Sequence, residues 1–151
     1  MNTEPLDEST QINKTIYKGC KEKMIKSISI DEWNGITFNE EIVINPKWAD
    51  TLSFLRKLDG DKFTLVFFEV SDTDSALVGG GPEYFIVSIT IDGNIYTLMN
   101  DKQGNREILL VAGGQLGNYC DNICIELIPM LEVIEYYETG KLLEAHKWKQ
   151  E

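Results

Sequence analysis

The segment EYFIVSITIDGNIYTLMN, residues 83–100, constrains the fold of this chain more than any other stretch. Branched and aromatic residues fill both sides of Asp92-Gly93, and this dipeptide is a strong signal for a tight hairpin turn. A hairpin makes its two strands antiparallel neighbours. The segment therefore predicts that the chain folds around an antiparallel sheet.

Further strands and two helices are predicted on either side of this hairpin. The pattern NPKWADTLSFLRKLDG predicts an amphipathic helix with Asn45 as N-cap, Pro46 at the first position and Gly60 at its end. LIPMLEVIEYYETGK predicts a second helix that ends at Gly140. Short apolar runs predict the remaining strands: KMIKSISI, GITF, EIVI, DKFTLVFFEV, EILLVA, NYCDNICI and EAHKW. The fold class expected is α+β, a mainly antiparallel twisted β-sheet with two principal helices packed against it.

The chain is expected to form one domain, because its 151 residues fall within the usual size of a single folded unit. Residues 1–22 are polar, contain turn formers and show no sustained period, which predicts an N-terminal arm. Residues 23–151 are then a single α+β domain.

The three consecutive glycines at residues 79–81 raise the question of a phosphate-binding loop. Such a loop needs a following lysine and Ser or Thr, or a helix N-terminus. Neither follows here, and Asp72, Asp74 and Glu83 make the surroundings negative. The run is interpreted as a flexible connection between strands, and a partner-contact loop is the alternative.

No catalytic, metal-binding or cofactor-binding residue is predicted. His146 is the only histidine, and a Cys-His or Ser-His site would need a second strand to bring the nucleophile within about 3 Å of it. Cys120 and Cys124 are spaced as CxxxC without a further pair of ligands. On one extended strand their Cα atoms would lie about 13 Å apart, too far for a disulfide, so buried free thiols on one face are expected.

Charge restricts the class of partner. Lys and Arg number 14 against 25 Asp and Glu, a net charge of −11. This balance disfavours nucleic acid and anionic membranes and favours a basic protein partner. The opening MNTEPLDESTQINKT has neither a basic n-region nor an apolar h-region, and no apolar run reaches about 20 residues, so a cytoplasmic location is expected.

The second half of the chain shows a pattern of apolar, aromatic and glycine positions. It is carried by NIYTLMND, by the glycine-rich region before NYCDNICI, and by the closing LEVIEYYETGKLLEAHKW with Tyr136-Tyr137, Gly140 and Trp148. Upstream, TLSFLRKL is followed by FTLVFFEV. Over about residues 45–148 this pattern resembles the immunity-protein-one family of bacterial polymorphic toxin and contact-dependent growth inhibition systems.

The resemblance implies a non-enzymatic inhibitor. Such a protein binds a cognate toxin domain with a basic surface, a nuclease or a deaminase, in the cytoplasm of the producing cell. It neutralises the toxin by steric and electrostatic occlusion, which agrees with the negative charge of this chain.

Candidate partner-binding residues are charged and aromatic side chains in the predicted loops. The carboxylates are expected to cluster at the ends of the same hairpins, and two tyrosines are candidate anchors. The set is Asp72, Asp74, Glu83, Tyr84, Asp92, Asp101 and Tyr119. Tyr136 and Trp148 are assigned to the core. The alternative function is a small-ligand-binding or regulatory α+β module with the glycine loop as a lid, and a hydrolase is the third.

Overall fold

The structure is a computed structural model that describes residues 25–140 and 146–151. The predicted arm, residues 1–22, lies outside the described residues. The elements in chain order are β1 (Ser27–Asn34), β2 (Thr37–Ile44), α1 (Trp48–Lys57), β3 (Leu65–Glu69), β4 (Ser75–Gly80), β5 (Tyr84–Ile91), β6 (Asn94–Met99), β7 (Glu107–Ala112), β8 (Gln115–Cys120), a 3-10 turn (Asp121–Ile123), β9 (Ile125–Glu126), α2 (Leu127–Glu138) and β10 (Lys147–Gln150).

Seven strands form one antiparallel path in the order β10-β6-β5-β4-β3-β1-β2, and β9 pairs with the start of β5. The hairpin predicted at Asp92-Gly93 is confirmed as β5 and β6. Strands β7 and β8 form a separate two-stranded hairpin. The predicted α+β fold class is confirmed.

One face of the sheet holds the core. Every second residue of β5 is buried, as expected for a strand with one covered face. Both helices lie on this face, and the Thr51 hydroxyl of α1 donates to the Glu138 carboxylate of α2 at 3.0 Å. The two helices contribute these buried apolar side chains: Phe54, Leu55, Met130, Val133, Ile134 and Tyr137.

The helix ends differ in part from the prediction. Lys47, not Asn45, is the N-cap of α1, and the Asp50 carboxylate accepts its backbone N–H at 2.8 Å. Asn45 instead has φ 52° and donates its N–H to the Lys26 carbonyl at 2.8 Å. Gly140 follows α2 as predicted, with φ 80° and its N–H bonded to the Tyr137 carbonyl.

The prediction of a flexible connection at residues 79–81 is wrong. Gly79 and Gly80 are buried residues of β4, which pairs with β3 on one side and β5 on the other. The two short strands predicted from GITF and EIVI are in fact one, β2. Sequence reasoning missed β4 because SALVGG ends in two glycines, which weaken a strand.

The prediction that both cysteine thiols lie buried on one strand face is also wrong. Cys120 ends β8 and is exposed, whereas Cys124 follows the 3-10 turn and is buried. The Cys124 thiol donates to the Cys120 carbonyl at 3.4 Å. Tyr136 is 36 % exposed, so its assignment to the core is wrong, whereas Trp148 is half-buried and packs against the core.

Candidate functional site

Three of the predicted partner-binding carboxylates lie together at one end of the sheet. Asp72 and Asp74 are in the β3–β4 turn, and Asp92 is in the β5–β6 turn. The Asp74 carboxylate accepts the Thr73 hydroxyl at 2.8 Å and the Asp92 backbone N–H at 3.1 Å. Asp74 therefore ties the two turns together, while Asp72 and Asp92 are exposed.

The other predicted carboxylates lie at the opposite end. Glu83 is in the β4–β5 turn and Asp101 follows β6. Along β5 the two ends are about 23 Å apart, at roughly 3.3 Å per residue. Asp101 pairs with Lys147 at 3.7 Å, and both side chains are exposed. The predicted carboxylates therefore lie in connections at both ends of the sheet, three at one end and two at the other.

The two tyrosines proposed as anchors are both half-buried. Tyr84 begins β5 at the same end as Glu83, and the Lys102 ammonium lies 5.4 Å from its ring centroid. Tyr119 lies on β8, where its ring covers Gly117 so closely that a Cβ at that position would stand 3.0 Å from Cε2. Tyr119 is therefore part of the packing within the β7–β8 hairpin.

The glycine run allows two elements to approach the end of β4 closely, the β7 strand and the end of α1. A Cβ on Gly79 would stand 2.6 Å from the Ala112 Cβ of β7. Gly81 has φ 101°, and a Cβ there would overlap the Leu58 carbonyl at the end of α1. A Cβ atom does not come this close to an atom to which it is not bonded. Close packing therefore requires glycine at positions 79 and 81.

The face of the sheet opposite the helices carries an exposed apolar surface that sequence reasoning missed. The β7–β8 hairpin covers part of this face beside Gly79. Beyond the hairpin, the pairing register places Ile42 of β2, Ser29 of β1 and Phe67 of β3 in one row. We call this surface the outer patch and define it as Phe38, Glu40, Ile42, Ile44, Phe67 and Glu69.

The apolar members of the outer patch are unusually exposed for their size. Ile44 is 67 % exposed, Ile42 56 %, Phe38 52 % and Phe67 39 %. A contiguous exposed apolar surface with a polar rim is typical of a protein interaction site. A cavity of about 260 Å³ adjoins the patch, between Gly113 at the hairpin tip and the side chains of Phe38 and Phe67.

A buried carboxylate network supports the floor of this cavity. Asp31 accepts the Trp33 indole N–H at 2.6 Å, the backbone N–H of Thr64 at 2.7 Å and that of Leu65 at 2.8 Å, together with the Thr64 hydroxyl. The Thr64 hydroxyl in turn accepts the Gly114 N–H at 2.9 Å. Asp31 thus joins β1, β3 and the hairpin tip, and its bonded oxygens indicate a structural role rather than acid-base chemistry.

The Trp33 ring continues this support. It stacks on Phe38 at a centroid distance of 4.7 Å. The chain at Gly114 also comes so close that a Cβ there would overlap the indole. Trp33 therefore fixes the hairpin tip and one end of the outer patch relative to each other.

The outer face of β1, β2 and β3 has charge of one sign. Its outward positions include Asp31, Glu40 and Glu69 and no Lys or Arg. The nearby cations Lys57 and Lys62 pair at 3.5 Å and 3.2 Å with Glu41 and Glu32, whose side chains alternate to the opposite face. The outer patch therefore combines exposed apolar side chains with carboxylates that have no Lys or Arg beside them on the same face.

A second cavity, of about 220 Å³, is lined by both Cys124 and His146. Burial, followed by the negative charge of Asp121, raises the pKa of the Cys124 thiol to about 11. Burial lowers the pKa of His146, although Glu132 opposes this shift. A protonated thiol beside a neutral imidazole is poorly suited to nucleophilic catalysis, which requires the thiolate.

Two further properties concern only residues 25–140 and 146–151. They contain no group of three or more His, Cys, Asp or Glu side chains placed to hold a metal ion. Neither described helix is long and apolar enough to cross a membrane. Comparison with protein-family models, with curated proteins and with solved structures gave no match to this chain.

Proposed function

We propose that this protein is an immunity protein that binds a cognate toxin domain and neutralises it without catalysis. The partner is a protein with a basic surface, in keeping with the nucleases and deaminases that the family resemblance implies. Binding in the cytoplasm of the producing cell occludes the toxin sterically and electrostatically.

The observation that carries this proposal is the outer patch. Its exposed apolar side chains provide area that loses water on binding, and its carboxylates Glu40 and Glu69 face out without a neighbouring cation on the same face. An enzyme that handles phosphate backbones presents a basic cleft, so an acidic surface of this kind is electrostatically complementary to it. The net charge of −11 extends the attraction beyond the contact itself.

Co-expression tests the proposal directly. The polypeptide encoded immediately upstream of this gene is produced in cells with and without this protein, and growth is measured. We expect the polypeptide alone to arrest growth and co-expression to restore it. Continued arrest despite confirmed expression of both chains would contradict an immunity role.

The alternative function, a small-ligand-binding or regulatory module, is favoured by one observation. The cavity at Cys124 and His146 has room for a small molecule, about 220 Å³. A metabolite that remains bound through purification, detected by native mass spectrometry, would favour this function. Loss of that molecule on filling the cavity with Val133→Trp would assign it to this site.

A further inference from the structure

We infer that the edge strand β2 is the docking site for an extended segment of the basic partner, which adds a strand to the sheet there. This inference rests on the proposed function and specifies how the partner is held. The main-chain hydrogen bonds of β2 would provide affinity, and the side chains of the outer patch would provide specificity.

Strand β2 has an open edge within the described part of the chain. It pairs with β1 through eight residues and ends the strand order of the sheet. Proteins usually blunt such edges by keeping them short or by placing lysines on them. The opposite edge follows that rule, because β10 has four residues and includes Lys147 and Lys149. Strand β2 is twice as long and contains no lysine.

The alternation of hydrogen-bonded and non-bonded pairs between β1 and β2 determines which backbone groups of β2 face the open edge. The Asn45 N–H donates to the Lys26 carbonyl at 2.8 Å, so this pair is a hydrogen-bonded one. Hydrogen-bonded and non-bonded pairs alternate along an antiparallel ladder. Counting back along β2, Val43 and Glu41 direct their N–H and C=O groups toward β1. Ile44 and Ile42 direct theirs outward, as do Glu40 and Phe38.

The residues with outward backbone groups are also those that form the outer patch. Phe38, Ile42 and Ile44 point their side chains to the face opposite the helices, with Glu40 between them. A strand that pairs with β2 would therefore place alternate side chains beside these residues. Backbone pairing and side-chain contact are available from the same four positions.

Charge selects a basic partner rather than a second copy of this chain. A second copy would bring a further charge of −11 and oppose Glu40 and Glu41 with its own carboxylates across the new strand pair. Like charges directly opposite each other destabilise a strand pair. An extended segment rich in Lys or Arg would instead meet Glu40 on β2 with opposite charge.

Residue-resolved amide hydrogen exchange on the full chain tests whether the edge is open. In the free protein we expect the Ile42 and Ile44 amides to exchange rapidly and the Glu41 and Val43 amides slowly. On adding the upstream-encoded polypeptide, the Ile42 and Ile44 amides should slow by roughly tenfold or more. Slow exchange of these two amides in the free protein at every concentration would show that the chain covers its own edge. Protection that grows with concentration would show self-pairing, and either result would overturn the inference.

A matched pair of proline variants tests the hydrogen bonds. Ile42→Pro removes one outward N–H and leaves the ladder to β1 intact, which an edge strand tolerates. Gln150→Pro is its control on β10, where the Glu151 N–H bond to the Ile95 carbonyl at 2.9 Å makes the neighbouring Gln150 N–H point outward. We expect Ile42→Pro to raise the dissociation constant roughly tenfold or more, and Gln150→Pro to leave it unchanged.

The outcomes separate this inference from the proposed function. If Ile42→Pro weakens the complex and Gln150→Pro does not, the result supports both strand addition and the proposed function. A complex that resists Ile42→Pro and leaves the Ile42 and Ile44 amides unprotected overturns strand addition while the immunity role stands. If Ile42→Pro does not fold, the exchange measurement on the unaltered chain decides in the same way. No complex with the upstream-encoded polypeptide overturns the proposed function, and strand addition with it.

Discussion

Replacing Gly79 by alanine should destabilise the protein through one steric contact. The new Cβ would stand 2.6 Å from the Ala112 Cβ, whereas its next neighbours, Leu65 Cδ1 and Ile86 Cγ1, lie at ordinary distances of 3.4 Å and 3.5 Å. Gly79 does not have a positive φ, so the backbone itself accepts alanine. The clash must therefore be relieved by moving β4 and β7 apart by about 1 Å, toward the usual carbon contact distance.

The expected cost follows from the measured effects of overpacking. Adding a methyl group to a well-packed interior destabilises by about 1–3 kcal/mol. Ala112→Gly alone should cost about 0.5–1 kcal/mol through chain entropy. The double variant Gly79→Ala/Ala112→Gly restores the space, so its loss should be smaller than the sum of the two single losses by about 1 kcal/mol or more.

Urea unfolding, monitored by circular dichroism, is measured for the wild type, the two single variants and the double variant. The free energy of unfolding is obtained by linear extrapolation, and an unchanged slope shows that only stability has changed. A Gly79→Ala loss below about 0.5 kcal/mol, or strict additivity of the two substitutions, would refute the close packing of the hairpin on β4. The glycines would then need another explanation.

Three further predictions concern stability and reactivity. Asp31→Asn should lower the free energy of unfolding by about 1.5–3 kcal/mol, because its amide nitrogen must face either the backbone N–H groups of Thr64 and Leu65 or the Trp33 indole N–H. A loss below 0.5 kcal/mol on urea unfolding would contradict the network. At pH 8 iodoacetamide should modify Cys120, which is exposed, and spare Cys124, whose pKa burial raises to about 11. Equal modification of the two in peptide mapping would contradict this difference, and Cys124 should become reactive only as the pH rises toward that pKa. Asp74→Ala should cost about 1 kcal/mol through its lost hydrogen bonds. Asp72→Ala should change the free energy of unfolding by less than about 0.5 kcal/mol. Equal losses of stability for the two variants in thermal unfolding would contradict the link that Asp74 makes between the two turns.

Local signals were sufficient for much of the fold. The β5–β6 hairpin follows from branched residues around Asp92-Gly93, and α2 follows from apolar spacing closed by Gly140. These elements are specified by neighbouring residues alone. The position of Lys47 as N-cap was not predictable in this way, because Asn45 forms a long-range bond to Lys26.

The missed strand β4 also determines how the predicted carboxylates are distributed. Consecutive hairpin turns lie at alternate ends of an antiparallel sheet. When β4 is interpreted as part of a loop, Asp72 and Glu83 belong to one connection between β3 and β5. With β4 present they lie at opposite ends of the sheet. The glycines that obscured β4 are required by contacts with Ala112 and Leu58, which are distant in sequence and invisible to local patterns.

The outer patch was missed for a related reason. The run Ile42-Val43-Ile44 indicates a strand with apolar residues on both faces, which is typical of burial. Only the strand order shows that β2 is an edge and that the hairpin does not cover Ile42 and Ile44. Sequence reasoning found the net charge, but the three-dimensional arrangement was needed to show where the carboxylates stand without cations.

The association rate of the upstream-encoded polypeptide with two charge-reversed variants is the most direct test of the binding surface. The variant Glu40→Lys/Glu69→Lys reverses two charges in the outer patch. The variant Asp72→Lys/Asp92→Lys makes the same change in total charge at the sheet end that carries the β3–β4 and β5–β6 turns. At low salt we predict that the first variant associates about tenfold more slowly than the second and shows a flatter salt dependence. Slower association of the second variant, with the first close to wild type, would contradict binding through the outer patch and place the contact at the sheet end.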